Sequence, residues 1–589
     1  MAMNTLPDLL RRRMTTDATR TIMRRKDRGI WKPMNWGEFT SRVRSLVRAM
    51  QADGFGPGTT GAILADTHPE WLQADLALQS AGGVSAGLSP SAGVDQITEQ
   101  LRDSGARLVF VENEEQLDKV LRARTACPAL CRVVIFDMKG LRDLADPMCS
   151  SFADYMTSGA TTADTWDATI DALDPDTPAA LIYHHDDPIR LSHGNIAAAI
   201  ETAMRLFAPN AEDERLVVMP LPHVSERVLG SYLSLHTGCI SNFGESSGTL
   251  EENLREVKPT LLVAAPSLWK RFHDRIALAT SAATRIQRVI CRVALAGGVR
   301  AGESRANGRR SMPWSVAIEW LAWPVLANIR RDLGLSRLRL GLIAGGTTTP
   351  DLVRWFMALG IDPIEVYGPA ESSGLAAAPA PGAIRPGDVG YAIAPDLLRV
   401  TPDGEIELNS AALCQPGAAS QSDGIWRRTG DAGVMTDGRL TVLGRAADTI
   451  TLLDGSEVHP EPIERALCLS PYIADALVVG DGKSFPGCLI RLEPEAVEGW
   501  AHAKRVSFAG FADLANTAEV RALLQTEIER VNKAAARAAP VRAFRAIDRP
   551  LQEGDPELNS LGGLRRVPAM TTFRSLISVM YDEATHPAE

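Results

Sequence analysis

The densest run of chemistry-bearing side chains is Tyr183-His184-His185-Asp186-Asp187-Pro188-Ile189-Arg190-Leu191, which leads into Ser192-His193-Gly194-Asn195. Two imidazoles beside two carboxylates are metal-ligand types. Adjacent side chains rarely converge on one ion, however, and the i,i+4 spacing that puts two ligands on one helix face is absent. No metal site is expected there. Downstream, Tyr367-Gly368-Pro369-Ala370-Glu371 sets a ring and a hard-oxygen carboxylate around a turn. Ala344-Gly345-Gly346-Thr347 precedes it, and Asp423-Gly424-Ile425-Trp426-Arg427-Arg428-Thr429-Gly430-Asp431 follows it. Gly444-Arg445-Ala446-Ala447-Asp448 and a segment from Asp454-Gly455-Ser456 to Glu464 complete the series. Singly, each reads as a loop, a turn or a satisfied core residue. Five in this order ask for a common explanation.

In that order they resemble the adenylate-forming superfamily, and its long-chain acyl-CoA synthetase branch in particular. Segments 220–227, 254–260 and 470–473 carry the branch likeness, and the resemblance runs from Asn35 to Tyr581. It implies an AMP or acyl-adenylate site made of Gly345, Gly346, Thr347, Tyr367, Gly368, Ala370, Asp431 and Arg445. The glycines let backbone pass close to adenine because they lack Cβ. Tyr367 stacks on the base, Asp431 accepts from the ribose hydroxyls, and Arg445 holds ribose or phosphate as a fixed cation. The catalytic positions it implies are His223, beside the reacting carbonyl, and Glu371, the family's magnesium-ligating glutamate. Ala447 takes the hinge position, and Gly455 and Ser456 face CoA after the small domain turns.

Two departures fall on one half of the family reaction. The family's phosphate loop has about thirteen residues between its strand and the Ser-His-Gly-Asn exit, with glycines and hydroxyls whose N–H groups wrap the β- and γ-phosphates. This chain has eight, residues 184–191, and sets Asp186 and Asp187 where phosphate charge would be repelled. Arg190 is a single cation and does not rebuild that cradle. Near the C-terminus the family places a lysine that reaches the carboxylate and α-phosphate. Here Glu557-Leu558-Asn559-Ser560-Leu561-Gly562-Gly563-Leu564-Arg565-Arg566 keeps the frame and puts Gly563 at that position. Ala370 also stands where a threonine is usual, and Ala447 where the hinge is usually charged. Arg565 and Arg566 read as solvated surface rather than as a grip for a CoA phosphate.

The elements that must position these residues follow from periodicity. Apolar Phe39, Val43, Leu46 and Val47 mark a helix over 36–53. Strands at 61–65 and 107–111 alternate with helices such as 71–82, and 257–265 and 338–344 continue the pattern. That alternation predicts an α/β fold with helix-covered, mainly parallel sheets. After Gly390 the texture becomes β-rich, with a hairpin around Asp403-Gly404. A small mobile α+β domain follows, giving residues 1–445 and 446–589 as the two domains. Segment 314–329 reads as a buried or amphipathic helix, too short and too interrupted to span a bilayer.

The 589 residues carry a net charge of −10, which argues against a general nucleic-acid binder. The eight cysteines show no zinc-site spacing, and the N-terminus has no apolar signal core, so a cytoplasmic protein is expected. The functional expectation is an acyl-CoA ligase of the non-adenylating type, similar to those of diterpenoid biosynthesis. It would convert a pre-formed acyl-AMP with a bulky apolar acyl group, a diterpenoid being one option, plus CoA to acyl-CoA plus AMP. A separate enzyme would make the acyl-AMP, and Mg²⁺ is not expected to be required. A homodimer is allowed for. A complete two-step synthetase with a remodelled loop is the alternative, and an acyl-adenylate-binding pseudoenzyme the second alternative.

Overall fold

The computed structural model describes residues 5–184, 187–306, 313–409, 426–534, 539–552, 554–559 and 562–585. Two seven-stranded sheets form the large N-terminal part. One runs in the order Cys149–Ser151, Arg132–Ile135, Leu108–Val111, Thr60–Leu64, Val84–Leu88, Pro178–His184, Asp187–Ser192. It is parallel throughout except for its last pair. The other runs Pro363–Glu365, Leu340–Ile343, Leu261–Ala264, Glu214–Leu216, Ile240–Phe243, Thr21–Asp27, Ile30–Asn35, again with only the final pair antiparallel. Strands buried on both faces read as unbroken apolar runs, which is why Leu108-Val-Phe-Val111 shows no alternation.

The two sheets share one core. It joins Ile63 and Phe110 of the first sheet to Leu261 and Leu342 of the second. The helix Pro69–Ser80 belongs to that core and buries every residue except Glu70. The helix Trp36–Ala52 packs there through Phe39, Val43, Leu46 and Val47, as its spacing predicts, and starts in a capping box of Asn35 and Glu38. One strand boundary differs from expectation. Val257 ends the preceding helix Leu250–Val257, and Lys258 caps it in the left-handed region with φ +50°. The strand therefore begins only at Leu261.

A four-stranded antiparallel sheet, Leu398–Val400, Glu405–Asn409, Trp426–Thr436 and Arg439–Arg445, follows. The C-terminal part holds a three-stranded sheet, Ile473–Val479, Gly487–Leu492 and Ala543–Ala546, with its own core around Leu467, Val478 and Ile490. Segment 314–329 lies within the helix Pro313–Asp332. Among the described residues no helix is long and apolar enough to cross a membrane.

Candidate active site

The shortened loop is a closed hairpin. Strands Pro178–His184 and Asp187–Ser192 pair antiparallel all the way to Tyr183↔Pro188 and His184↔Asp187. Only His185 and Asp186 connect them, and these two lie outside the described residues. Tyr183 is held from the side, its hydroxyl 2.9 Å from the Gln100 carbonyl and 3.0 Å from Asp103. The exit motif has a structural task of its own. Ser192 caps the helix His193–Phe207, its hydroxyl accepting from Asn195 N–H at 3.2 Å while Asn195 Oδ1 accepts from Ser192 N–H at 3.0 Å. This is a capping box with asparagine as the reciprocal partner. His193 is buried, and loss of hydration lowers its pKa to about 4. Arg190 is exposed on the outgoing strand.

Three of the residues expected at a nucleotide site converge. The Tyr367 hydroxyl donates to Asp431 Oδ2 at 2.8 Å, and Arg445 Nη1 donates to Asp431 Oδ1 at 2.8 Å. Register produces the second contact, because Asp431 and Arg445 are cross-strand partners. A backbone bridge from Tyr367 to Ala377 holds the ring in place. Burial and the nearby carboxylates of Asp431 and Glu371 push the Tyr367 phenol well above its usual pKa, so it remains a donor. Of the motif 423–431, Asp423, Gly424 and Ile425 lie outside the described residues.

Gly345 ends the strand Leu340–Ile343 at φ +78°, and a Cβ there would stand 3.0 Å from the His223 ring. The glycine is therefore required both by its backbone region and by the imidazole on it. His223 Nδ1 accepts from Ser225 N–H at 3.3 Å, which leaves the proton on Nε2. Desolvation lowers its pKa to about 4. Gly346 packs against Pro266. A side chain at Gly368 would collide with the backbone of Gly374, so that turn too is closed by its glycine.

Glu371 is half-buried in the short turn Ala370–Ser372, beside buried Ala370. Its carboxylate has no hydrogen-bond partner among the described residues. No group of three or more His, Cys, Asp or Glu is placed to hold a metal among those residues either. A single carboxylate fits Mg²⁺ only where phosphate oxygens and waters complete the octahedron. The ion would there neutralise phosphate charge, and the protein would contribute Glu371 alone.

Thr347 is engaged by the C-terminal part. The helix Pro460–Cys468 directs Arg465 onto the Thr347 hydroxyl and, at 3.4 Å, the Thr348 carbonyl. Thr347 in turn donates to Glu461 at 3.3 Å. A side chain at Gly444 would collide with Glu461. Neither Glu461 nor Arg465 stood out as a contact residue, since the contact spans more than a hundred positions. Ala447 is exposed in the turn Ala446–Asp448. Gly455 and Ser456 form an exposed hairpin tip tied by Asp454 and touch none of the site residues in this arrangement.

Gly563 sits in a loop closed on itself: its N–H donates to Asn559 Oδ1 at 3.0 Å, and its carbonyl accepts from Asn559 N–H at 2.9 Å. It lines a cavity of about 250 Å³ with Lys270, Thr347, Thr348, Arg465, Asp475 and Arg491. Ser560 and Leu561 lie outside the described residues. Arg566 corrects the surface reading. It donates to Glu464 at 2.6 Å and to the Val478 carbonyl at 2.7 Å, and it reaches Asp448 at 3.3 Å, so it is an internal clamp. Burial raises the Glu464 pKa to about 7 despite that cation.

A second cluster begins in the stretch 220–227, whose charged residues were given no role by the resemblance. Beyond His223 the chain forms a π-helix, Glu226–Tyr232. Fully buried Arg227 pairs with Asp75, and Tyr232 donates to the same carboxylate at 2.6 Å. Arg215 pairs with Glu226 at 2.5 Å. Glu226 and Arg227 lie in that stretch, and charge inside an otherwise apolar run was the signal for their pairing. This anchored turn fixes the backbone from which His223 projects.

Residues 10–408 match the family model for the AMP-binding enzyme, and 447–585 that for the AMP-binding enzyme C-terminal domain. The long-chain-fatty-acid–CoA ligase FadD15 of Mycobacterium bovis is 26% identical over 586 residues, covering 96% of this chain and 95% of its own. The long-chain-fatty-acid–CoA ligase ACSBG2 of Xenopus laevis is 23% identical, covering 95% and 81%. Among solved structures, the A domain of a carboxylic acid reductase from Segniliparus rugosus, in complex with AMP and a co-purified carboxylic acid, superposes with a TM-score of 0.73. It is 16% identical, with 98% of this chain and 94% of that one covered. The α/β architecture, a large N-terminal domain of mixed sheets and a smaller C-terminal domain, is thus that of adenylation domains.

Proposed function

The chain belongs to the AMP-binding enzyme family, the adenylate-forming superfamily, and on that premise we propose that it is an acyl-CoA ligase restricted to the thioester-forming half of the family reaction. The substrate is an acyl-AMP with a large apolar acyl group, supplied by a separate adenylating enzyme. The observation that carries this reading is the hairpin closed at His184↔Asp187. Paired strands spend their N–H groups on each other, and a two-residue connection has too few left to surround a triphosphate tail. The missing side chain at Gly563 supports it from the other domain.

The retained contacts suit an AMP leaving group. Tyr367, Asp431 and Arg445 already form one hydrogen-bonded set, which would exchange its internal partners for base, ribose and phosphate. The CoA sulfur attacks the acyl carbonyl carbon, and the thiol proton passes to solvent. The C–O bond to phosphate breaks, and AMP departs with the bonding pair. His223, neutral and protonated on Nε2, acts as a hydrogen-bond donor to the carbonyl oxygen rather than as a base. The small domain turns about Ala447 to bring CoA in past Gly455 and Ser456, with residues 1–445 and 446–589 as the two moving parts.

The test runs the half-reactions apart. Acyl-AMP plus CoA, without ATP or added Mg²⁺, should give thioester and AMP. Carboxylate-dependent exchange of labelled pyrophosphate into ATP should be close to background. Absence of thioester sinks the proposal; rapid exchange replaces it with the second reading, a complete two-step synthetase. That second reading is favoured by one observation, the unpaired Glu371 carboxylate kept at the magnesium position.

A further inference from the structure

The cavity beside Gly563 lies between the two parts of the chain, and cations from both parts line it. Lys270 and Ser267 come from the helix Pro266–Ala282 of the large part. Arg465 comes from the helix Pro460–Cys468 and Arg491 from the strand Gly487–Leu492, both of the small part. Among the described residues Asp475 is the only carboxylate on the lining. Its oxygens are taken: Ala476 N–H donates to Oδ1 at 3.0 Å and Leu564 N–H to Oδ2 at 2.5 Å. Of the residues expected to hold an adenylate, only Thr347 touches this cavity. It is therefore a separate place from the set around Tyr367, Asp431 and Arg445.

Charge and unused donors indicate what fits. The lining carries three cations against one carboxylate, in a chain whose net charge is −10. An ammonium has three donors, and among the described residues Lys270 Nζ uses one, on Asp274. Arg491 donates through Nη2 to the Gly562 carbonyl at 2.8 Å and stands 4.0 Å from Asp475, while its buried Nε has no acceptor. Arg465 donates to the Val442 carbonyl at 3.2 Å and the Thr348 carbonyl at 3.4 Å, with the Glu461 carboxylate 3.7 Å away. Cations facing one another across a cavity repel, and an oxyanion between them turns repulsion into attraction. A volume of about 250 Å³ is roughly eight waters at about 30 Å³ each, room for a tetrahedral oxyanion with a few waters and too little for a nucleotide.

We propose that this cavity is a site for inorganic phosphate, gripped by Lys270 from the large part and by Arg465 and Arg491 from the small one, and that its occupancy pins the small part against the large. A ligand that touches both parts favours the arrangement in which its contacts come together. The turn about Ala447 would separate Lys270 from Arg465 and Arg491, so phosphate opposes that turn and slows thioester formation. This kinetic consequence rests on the proposed function; the binding does not.

The test is isothermal titration of the full chain, free of acyl-AMP and CoA, with potassium phosphate and with potassium chloride at matched ionic strength. Phosphate should bind saturably and raise the melting temperature; chloride should do neither. Lys270→Gln and Arg491→Gln should each weaken phosphate binding about tenfold or more, as the loss of one charge-assisted bond implies, and Lys270→Arg should lose less than Lys270→Gln. In the thioester assay phosphate should lower kcat with little change in KM for acyl-AMP, and its inhibition constant should rise with the dissociation constant across the variants. Equal heats in phosphate and chloride overturn the proposal, as does binding that both glutamine variants leave unchanged. So does inhibition that only raises KM for acyl-AMP, which would put the anion in the adenylate site. Displacement of phosphate by CoA but not by dephospho-CoA would assign the cavity to the 3′-phosphate of CoA and overturn the free anion as its occupant. Saturable binding that the variants lose, in a protein that forms no thioester, would sustain the site and sink only the proposed half-reaction.

Discussion

Gly563→Lys puts back the cation that adenylation uses, and the structure indicates how much it should restore. The position accepts a side chain. Gly563 does not adopt a positive φ, and the three atoms nearest a new Cβ all belong to the Asn559 side chain, the closest at 3.3 Å. Both hydrogen bonds to Asn559 use Gly563 main-chain atoms and survive. The folded protein should therefore change by less than about 1 kcal/mol, helped by the smaller conformational freedom of lysine than glycine in the unfolded chain. A charged group that stabilises developing charge is worth on the order of 10²–10³ in rate. That is the ceiling for the variant, and it is unreachable while the hairpin at His184↔Asp187 leaves the β- and γ-phosphates unheld, since losses in one constellation are not additive. Pyrophosphate exchange should rise by about tenfold or less, while thioester formation from acyl-AMP stays within about twofold. Equal gains in both assays, or exchange restored by more than about 10³, would show that the hairpin does not block the triphosphate and would refute the reasoning.

Other expectations follow from single contacts. Gly345→Ala forces a left-handed backbone on alanine at about 1–2 kcal/mol and pushes a methyl group to 3.0 Å from His223; melting temperature should fall and KM for acyl-AMP rise. Tyr367→Phe keeps the ring for stacking but removes the 2.8 Å bond to Asp431 that binding would exchange; the free protein should lose about 1.5–3 kcal/mol or less in denaturation, while KM for acyl-AMP stays within about tenfold. Asp75→Asn breaks the buried pair with Arg227, and chemical denaturation should register a loss of about 3–5 kcal/mol. His193 and His223 have pKa values lowered to about 4, against about 6.5 in the unfolded chain. The unfolded state thus binds more protons between those values. The contribution of the two neutral rings is complete above about pH 6.5 and is lost as pH falls toward 4. Urea unfolding across that window should show stability dropping with acidity, with a shallower slope in His193→Phe.

What could be read from the chain was whatever depended on neighbours in sequence. Alternating strands and helices, the hairpin at Asp403-Gly404 and the missing residues of the 184–191 loop all belong to that class. Ser192 and Asn195 were read as the surviving end of a phosphate motif, yet their spacing is also that of a cap, and the cap is what their side chains make. Arg566 was legible as a cation but not as a clamp, because Glu464 lies 102 residues away. The pair of Asp75 with Arg227 was hidden for the same reason, since it spans 152 positions. Even so, the stretch 220–227 was singled out, and the fold explains why its charges are there.

The pattern of loss and retention bears on how the two halves of the reaction became separable. The residues proposed to contact adenosine are wired into sheet register: Asp431 and Arg445 are strand partners, and Tyr367 is bridged to Ala377. Tyr367 also belongs to the core of the four-stranded sheet, and Asp431 and Arg445 hold that ring from one side. The positions that the family resemblance assigns to the triphosphate are instead a hairpin connection and the single residue 563. Strands 178–184 and 187–192 pair in register from Ala180↔Leu191 to His184↔Asp187, and the Asn559–Gly563 loop closes through Gly563 main-chain atoms, one bond to the Asn559 N–H and one to its side chain. On the proposed function, a chain relieved of adenylation would shed those two parts at little cost in stability while the residues proposed to grip the nucleoside stay held by the fold. The corollary is directional: grafting a longer glycine-rich loop between Tyr183 and Ser192 together with Gly563→Lys should bring back pyrophosphate exchange without loss of melting temperature. Failure of that double change in a folded protein would mean that the adenosine site itself, and not the triphosphate site, has been altered.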